Sequence, residues 1–209
     1  MLTYIIIFSI LSYLIGSFSS AVWFGRWFWN TDVREFGSKN AGATNTFRVL
    51  GAKAGLIVFV FDVLKSFAAI QLVRLVPELQ QNSELYIQIK ILFGACAIIG
   101  HIFPVFSQFR GGKGVASMLG FIIAIHPLAA GITFGVFLIV FLISRIVSLS
   151  SISAALAFPF IIYFLEKGNS LTLTIFSIIA TCLIILTHLK NIKRLLKGEE
   201  KPISFSKKS

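Results

Sequence analysis

Residues 115–143 read VASMLGFIIAIHPLAAGITFGVFLIVFLI, an apolar run without a single Asp, Glu, Lys or Arg. A helix needs about 20 residues to cross a hydrocarbon core roughly 30 Å thick, so this stretch is too long for one span and short for two. His126-Pro127 is the natural point of division, because the residue before a proline is driven out of helical geometry. The expected pieces are a short Val115–Ile125 and a longer Leu128–Ile143. Leaving the run whole, as one proline-kinked helix, would lower the span count and change the topology.

The same reading extends in both directions. Tyr4–Phe24, Ala54–Val76 and Ile87–Phe106 precede the run as apolar segments of spanning length. After it, the polar Ser144–Ser151 and the run Glu166–Ser170 act as breaks, which leaves Ile152–Leu165 and Leu171–Leu189. The fold class expected is an all-α polytopic membrane protein of about seven transmembrane helices, some too short to cross squarely. Composition agrees. Of 209 residues 56% are hydrophobic and 13% charged, where a soluble domain carries about 25% charged residues. No internal repeat is visible. Residues 1–198 read as one transmembrane domain and 199–209 as a short polar tail expected to fray. Met1–Tyr4 has no basic residue ahead of its apolar stretch, so that stretch reads as a retained span and not as a cleaved leader.

A formal charge of +11 would suggest nucleic acid in a soluble protein. Here the basic residues lie between and after the apolar runs, which suits a membrane surface and small anions instead. With the N-terminus outside, Arg26, Arg34, Lys39, Arg48, Lys53, Arg110, Lys113, Arg145 and the basic tail fall on the inner face. Only Arg74, Lys90 and Lys167 fall outside. By the positive-inside rule the C-terminus is then cytoplasmic. Trp23, Trp27 and Trp29 read as an interfacial belt. Cys96 and Cys182 sit in apolar runs and read as small core residues, with no metal spacing or disulfide framework.

Three polar segments share the inner face in this topology. The first, Gly37–Arg48, alternates small residues with hydroxyls, amides and bases. Small residues let backbone N–H groups approach an anion, and Ser38, Asn40, Thr44, Asn45 and Arg48 add donors. A linker rich in turn residues would also look like this. The second, Phe109–Val115, places Gly111, Gly112 and Lys113 just before a helix, where oriented N–H groups and the positive dipole end favour anions. It is not a Walker A loop, and taken alone a flexible turn with a snorkelling lysine explains it equally well. The third, His188–Glu200, sets His188, Asn191 and Leu195 on one helical stripe, alongside lysines suited to anionic lipid. Ser148 and Ser151, near Arg145, are further candidates to line the site. Asp62 and Lys65, three apart within a span, can pair there as structural support. His101 could buttress the second segment but reads more simply as a satisfied buried histidine. His126, at the outer end, has no part.

Together these segments resemble the bacterial acyl-phosphate:glycerol-3-phosphate acyltransferases of the PlsY type. The resemblance rests on Gly37-Ser38-x-Asn40-x-Gly42-Ala43-Thr44-Asn45 with Arg48. It continues through Gly100-His101-x-x-Pro104 to Gly111-Gly112-Lys113-Gly114-Val115-Ala116, and ends on His188-x-x-Asn191-Ile192-x-Arg194-Leu195-x-x-Gly198-x-Glu200. Asp62-x-x-Lys65 fits as well. Lys39 departs, standing where the family usually has a small residue.

The resemblance implies seven membrane helices, an outer N-terminus and an inner-face site in the bacterial plasma membrane. It implies acyl transfer from acyl phosphate to the 1-hydroxyl of glycerol 3-phosphate, giving lysophosphatidate and phosphate, without a cofactor or metal. Ser38, Asn45, Arg48 and Lys113 would hold phosphates, Gly111 and Gly112 would supply backbone donors, and His188 and Asn191 would orient the acceptor hydroxyl. Membrane lipid and the enzyme that makes acyl phosphate would be its functional neighbours; nucleic acid would not. The residues leave the base open between His188 and a phosphate oxygen of the donor. The rival class is a transporter or channel for small phosphorylated anions, which would place its site at the midplane, on broken helices related by repeats.

Overall fold

A computed structural model describes residues 1–77, 79 and 83–203. All regular structure among them is helical. The chain divides into two compact units, Met1–His126 and Pro127–Ser209. Positions 204–209, the end of the expected tail, lie outside the described residues.

The first unit contains α1 (Leu2–Ser17), α2 (Ser20–Trp29), α3 (Ala43–Leu50), α4 (Ala52–Gln71), α5 (Glu84–Ile102) and α6 (Val115–Ile125). The expected first span, Tyr4–Phe24, is in fact two helices bent by 43° at Phe18-Ser19. Two charged side chains of α4 account for the break. Phe18 adopts extended geometry, and its carbonyl accepts a hydrogen bond from Lys65 Nζ at 2.9 Å. One residue past the break Ser20 Oγ donates to Asp62 Oδ1 at 2.8 Å. A helix interrupted in lipid must hand its freed backbone groups to other partners, and α4 supplies them.

Helices in this unit approach closely where one of them carries glycine. A Cβ on Gly16 of α1 would lie 2.0 Å from the Ala97 carbonyl oxygen of α5, and one on Gly120 of α6 would lie 2.0 Å from that of Val63 in α4. Without a hydrophobic force between helices in lipid, such backbone approach is a main source of association.

The second unit contains α7 (Pro127–Ser144), α8 (Val147–Leu165), α9 (Leu171–Thr187) and α10 (Leu189–Leu196). Division at His126-Pro127 is as expected: α6 stops at Ile125, His126 is extended, and α7 begins on the proline. The polar Ser144–Ser151 break is shorter than expected. Only Arg145-Ile146 is non-helical, with Arg145 left-handed (φ 56°), and α8 starts at Val147, so Ser148 and Ser151 lie inside a membrane helix. Their hydroxyls have partners there: Ser151, like Ser150, donates to the carbonyl four residues back, and Ser148 donates to Glu200.

Pro159 sits within α8. It cannot donate to the Ala155 carbonyl, and Thr181 Oγ1 of α9 donates to that oxygen at 2.6 Å. Helix α9 turns into α10 through a 65° bend at His188. Among the described residues, four helical segments are long and apolar enough to cross a bilayer. Counting each bent pair as one span raises the number to six, and the 11-residue α6 is shorter than a span. Cys96 is half-buried in α5; Cys182, expected in a core, is exposed on α9.

Candidate active site

In the first unit, residues 37–48 are partly helical. Gly42 caps α3, which carries Thr44, Asn45 and Arg48. Asn45 holds the preceding loop. Its Nδ2 donates to the carbonyls of Val33 (2.7 Å) and Phe36 (3.2 Å), and its Oδ1 accepts from Ser38 N–H (2.8 Å). At 1% exposure with both amide ends engaged, Asn45 braces the loop and has no donor left for a phosphate. Gly37 is required by this brace: its φ is +59°, and a Cβ there would lie 2.5 Å from Asn45 Oδ1. Ser38 and Arg48 are exposed, and Asn40 and Thr44 half-buried. Lys39, the departure from the family pattern, has a φ of 59°, a left-handed position that favours glycine.

The second loop is seated in a parallel way. Gly112 N–H donates to the His101 carbonyl at 3.1 Å, so it is not a free donor as the sequence suggested. Cβ atoms at Gly111 and Gly112 would fall 2.0 Å from the His101 carbonyl oxygen and 2.1 Å from His101 Nε2. Both glycines are therefore needed to let the loop lie on His101. Gly114 (φ +84°) caps α6, whose first bond runs from Met118 N–H to the Gly114 oxygen at 2.7 Å. The N–H groups of the turn ahead of Met118 are the unshared donors of a helix start. Lys113, half-buried, precedes them.

Ala41 N–H donates to the Gly111 carbonyl at 3.4 Å, which brings the two loops, and the N-termini of α3 and α6 that follow them, side by side. Two helix starts and one lysine give this part of the unit the character of an anion seat.

A further link was not singled out from the sequence. Arg34, 8% exposed, donates to both oxygens of Asp32 and, through Nη1, to the Ser107 carbonyl at 2.9 Å, which ties the stretch before the first loop to the stretch before the second. Arg26 donates to the same carboxylate at 2.8 Å. The hydrogen bond from Arg34 holds the Asp32 carboxyl well below the usual carboxylate range, and Asp32 in turn raises Arg34. Both guanidiniums border a cavity of about 200 Å³ walled by Val22, Trp23, Trp27 and Phe106. Asp32 balances one of the two charges, so the cavity combines an aromatic wall with one net positive charge at its edge.

The remaining candidate residues lie in the second unit. His188, 2% exposed, marks the α9–α10 bend; its Nδ1 lies 2.8 Å from the Ile184 carbonyl oxygen. A carbonyl only accepts, so Nδ1 carries the hydrogen and in the neutral ring Nε2 keeps the lone pair. Asn191, 4% exposed, donates from Nδ2 to Glu200 Oε1 at 2.6 Å. Ser148 Oγ donates to the same oxygen at 2.8 Å, and Arg194 Nε to Oε2. Glu200 thus brings Ser148 and Asn191 together. Burial raises its carboxyl, but the bonds from Arg194, Ser148 and Asn191 outweigh this and leave it below the ordinary glutamate value. The residues after Gly198 are not frayed as far as 203, because Ile203 N–H also bonds the Arg145 carbonyl at 2.9 Å. Ser151 stands apart from the Glu200 cluster, its hydroxyl turned to Val147 O at 2.8 Å. The sequence signal for Glu200 was its place in the third motif, a carboxylate two residues beyond a glycine at the end of a basic helix.

A polytopic helical protein with an anion seat of this kind fits a membrane enzyme acting on phosphorylated lipid precursors, and comparison with known proteins gives the class. The family model described as glycerol-3-phosphate acyltransferase matches residues 6–198. Glycerol-3-phosphate acyltransferase from Chlorobium phaeobacteroides is 39% identical over 241 aligned positions, covering 100% of both chains. That of Listeria welshimeri is 44% identical, over 96% of this chain and 98% of its own. The crystal structure of PlsY (YgiH), an integral membrane glycerol 3-phosphate acyltransferase, in its glycerol 3-phosphate form superposes with a TM-score of 0.84 at 35% identity, covering 96% of each chain. Its lysophosphatidic acid form gives 0.81 at 34%. The chain belongs to the glycerol-3-phosphate acyltransferase family, PlsY type.

Proposed function

We propose that this protein transfers a fatty acyl group from acyl phosphate to the 1-hydroxyl of glycerol 3-phosphate. The products are 1-acyl-glycerol 3-phosphate and inorganic phosphate, the first step of membrane phospholipid synthesis, and the site faces the cytoplasm from the bacterial inner membrane. The observation that carries this reading is the pairing of the two loops through Ala41 and Gly111, which sets two helix N-termini and Lys113 around one place. A reaction between two phosphorylated molecules calls for such a cluster of donors.

The hydroxyl oxygen attacks the acyl carbonyl carbon, an ester C–O bond forms, and the carbon–oxygen bond to phosphate breaks. Phosphate is a good leaving group, so positioning and charge stabilisation supply most of what is needed. Ser38, Arg48 and Lys113 hold the phosphoryl groups, helped by N–H groups at the start of α6, and Asn40 and Thr44 border them. His188 and Asn191 orient the acceptor, supported by Ser148 through Glu200. The hydroxyl proton has two possible destinations, Nε2 of His188 or an oxygen of the departing phosphate. Nδ1 bonding to Ile184 favours the first; the second needs no protein base at all. The pH–rate profile of His188→Gln separates them, because the profile loses its lower limb only if His188 takes the proton.

The reading as a whole is tested with detergent-purified protein, labelled glycerol 3-phosphate, and palmitoyl phosphate, acyl-CoA or acyl-carrier protein as donor. Lysophosphatidate is expected from palmitoyl phosphate only. Formation from acyl-CoA alone overturns the donor assignment. Uptake of phosphorylated anions into vesicles, with no acyl transfer, overturns the enzyme in favour of a transporter.

A further inference from the structure

Under the second loop lies a buried polar group that the proposed reaction leaves unused. Lys65 Nζ lies 2.7 Å from Asp62 Oδ1, 2.9 Å from the Phe18 carbonyl oxygen and 3.0 Å from His101 Nδ1. An ammonium has three N–H donors and accepts nothing, and here it meets three acceptors. His101 Nδ1 therefore takes a hydrogen bond and carries no hydrogen, which puts the ring's own hydrogen on Nε2. The competing arrangement, Nδ1–H donating to Asp62 Oδ1, would span 3.5 Å, a poor length beside the 3.0 Å contact.

Nε2 faces the loop. The position a Gly112 Cβ would take is bounded by His101 Nε2 at 2.1 Å and the Ala41 carbonyl oxygen at 3.0 Å. The imidazole edge thus fills the space the glycine leaves, at the joint where Ala41 meets Gly111.

We propose that His101 is a positioning residue for the phosphate seat. Lys65 fixes its tautomer, and its Nε2–H edge holds the Gly111–Gly112 turn against Ala41, so that Lys113 and the start of α6 meet a phosphoryl group in one arrangement. The Asp62–Lys65 pair, which also holds the α1–α2 break, orients that imidazole from within the membrane. This proposal rests on the acyltransferase reading of the seat.

Three variants and two independent measurements test it. His101→Gln places an amide N–H near the Nε2 position; His101→Phe keeps bulk without a donor; Asp62→Asn with Lys65→Met removes the pair without leaving a lone buried charge. ¹⁵N NMR of histidine-labelled protein in detergent, with His101 assigned by its loss in His101→Gln, is expected to show the Nε2–H tautomer in the parent. That pattern should be lost in the double variant. The KM for glycerol 3-phosphate, or its Kd by calorimetry, is expected to stay within about threefold in His101→Gln and to rise about tenfold in His101→Phe. The thermal midpoint and kcat should change little in either. An Nδ1–H tautomer in the parent overturns the proposal. So does parental affinity in His101→Phe, or an equal loss of affinity and thermal stability in both His101 variants, which would make the ring plain packing. Absence of turnover with acyl phosphate in the parent sinks the acyltransferase reading instead, while the tautomer and the Kd still judge His101.

Discussion

The glycine-bearing loops of the first unit and the C-terminal turn of the second are held by different chemistry. Each loop rests on one buried side chain, Asn45 under residues 36–38 and His101 under residues 111–112, and at Gly37 and Gly112 that side chain fills the place of a Cβ. The C-terminal turn has no such seat. It is drawn in by a carboxylate, Glu200, which accepts from Ser148, Asn191 and Arg194. Shape fixes the first arrangement and charge the second, so they should fail under different insults.

The largest effect is expected from Gly111→Ala. Its Cβ would lie 2.0 Å from a backbone oxygen, with no flexible side chain to yield, and overpacking of this sort costs about 1–3 kcal/mol. We expect the thermal midpoint to drop and acyl transfer to be lost. A variant with the parental midpoint would show that the loop does not rest on His101 as described. Next comes Glu200→Gln, which keeps the bulk but weakens charge-assisted bonds and should cost about 2 kcal/mol. Faster hydrogen exchange in α10 with unchanged exchange in α3 is the signature expected; equal acceleration in both would erase the contrast.

Acid sharpens the comparison. Glu200 is depressed, so its stabilisation is present above its ordinary value of 4.5 and is lost as pH falls below it. Asp32 behaves with the same sign, but its ordinary value is 3.8 and Arg34 holds it much lower, so its contribution persists into stronger acid. All three tryptophans lie in α2, and Trp27 borders the Asp32 lock. Tryptophan emission should therefore stay constant at a pH where exchange in α10 has already quickened. The reverse order would contradict the assignment of the two locks. The smallest effect belongs to Lys39→Gly. Relief of a left-handed backbone, offset by the freedom glycine gains when unfolded, should stabilise by about 1 kcal/mol or less. Measurable destabilisation in thermal unfolding would show that the Lys39 side chain contributes a contact there.

Much of this fold was legible because lipid leaves few choices. Apolar runs of spanning length had to be helices, and His126-Pro127 divided the long one where proline chemistry requires. Legibility failed where side chains inside the membrane rewrite the backbone. The bend at Phe18 is held by Lys65, forty-seven positions away in sequence, and only the small residues Gly16-Ser17 and Ser19-Ser20 mark its place locally. Ser144–Ser151 looked like a loop because hydroxyls are polar, yet inside a helix they can turn back on their own carbonyls. At the candidate site the residue types were visible but their division of labour was not. Asn45 and Gly112 read as donors to a ligand, and each proved committed to the scaffold. Arg34 looked like one more inner-face charge and is a strut between two loops.

Thr181 and Pro159 place a further constraint on the second unit. Because the proline leaves the Ala155 oxygen without its usual helical donor, α8 carries an acceptor that Thr181 of α9 reaches. Sliding or rotating α9 by one residue would strand that oxygen in hydrocarbon. That bond favours one register of the two helices over its neighbours, so the proline and the threonine act as a key and its slot.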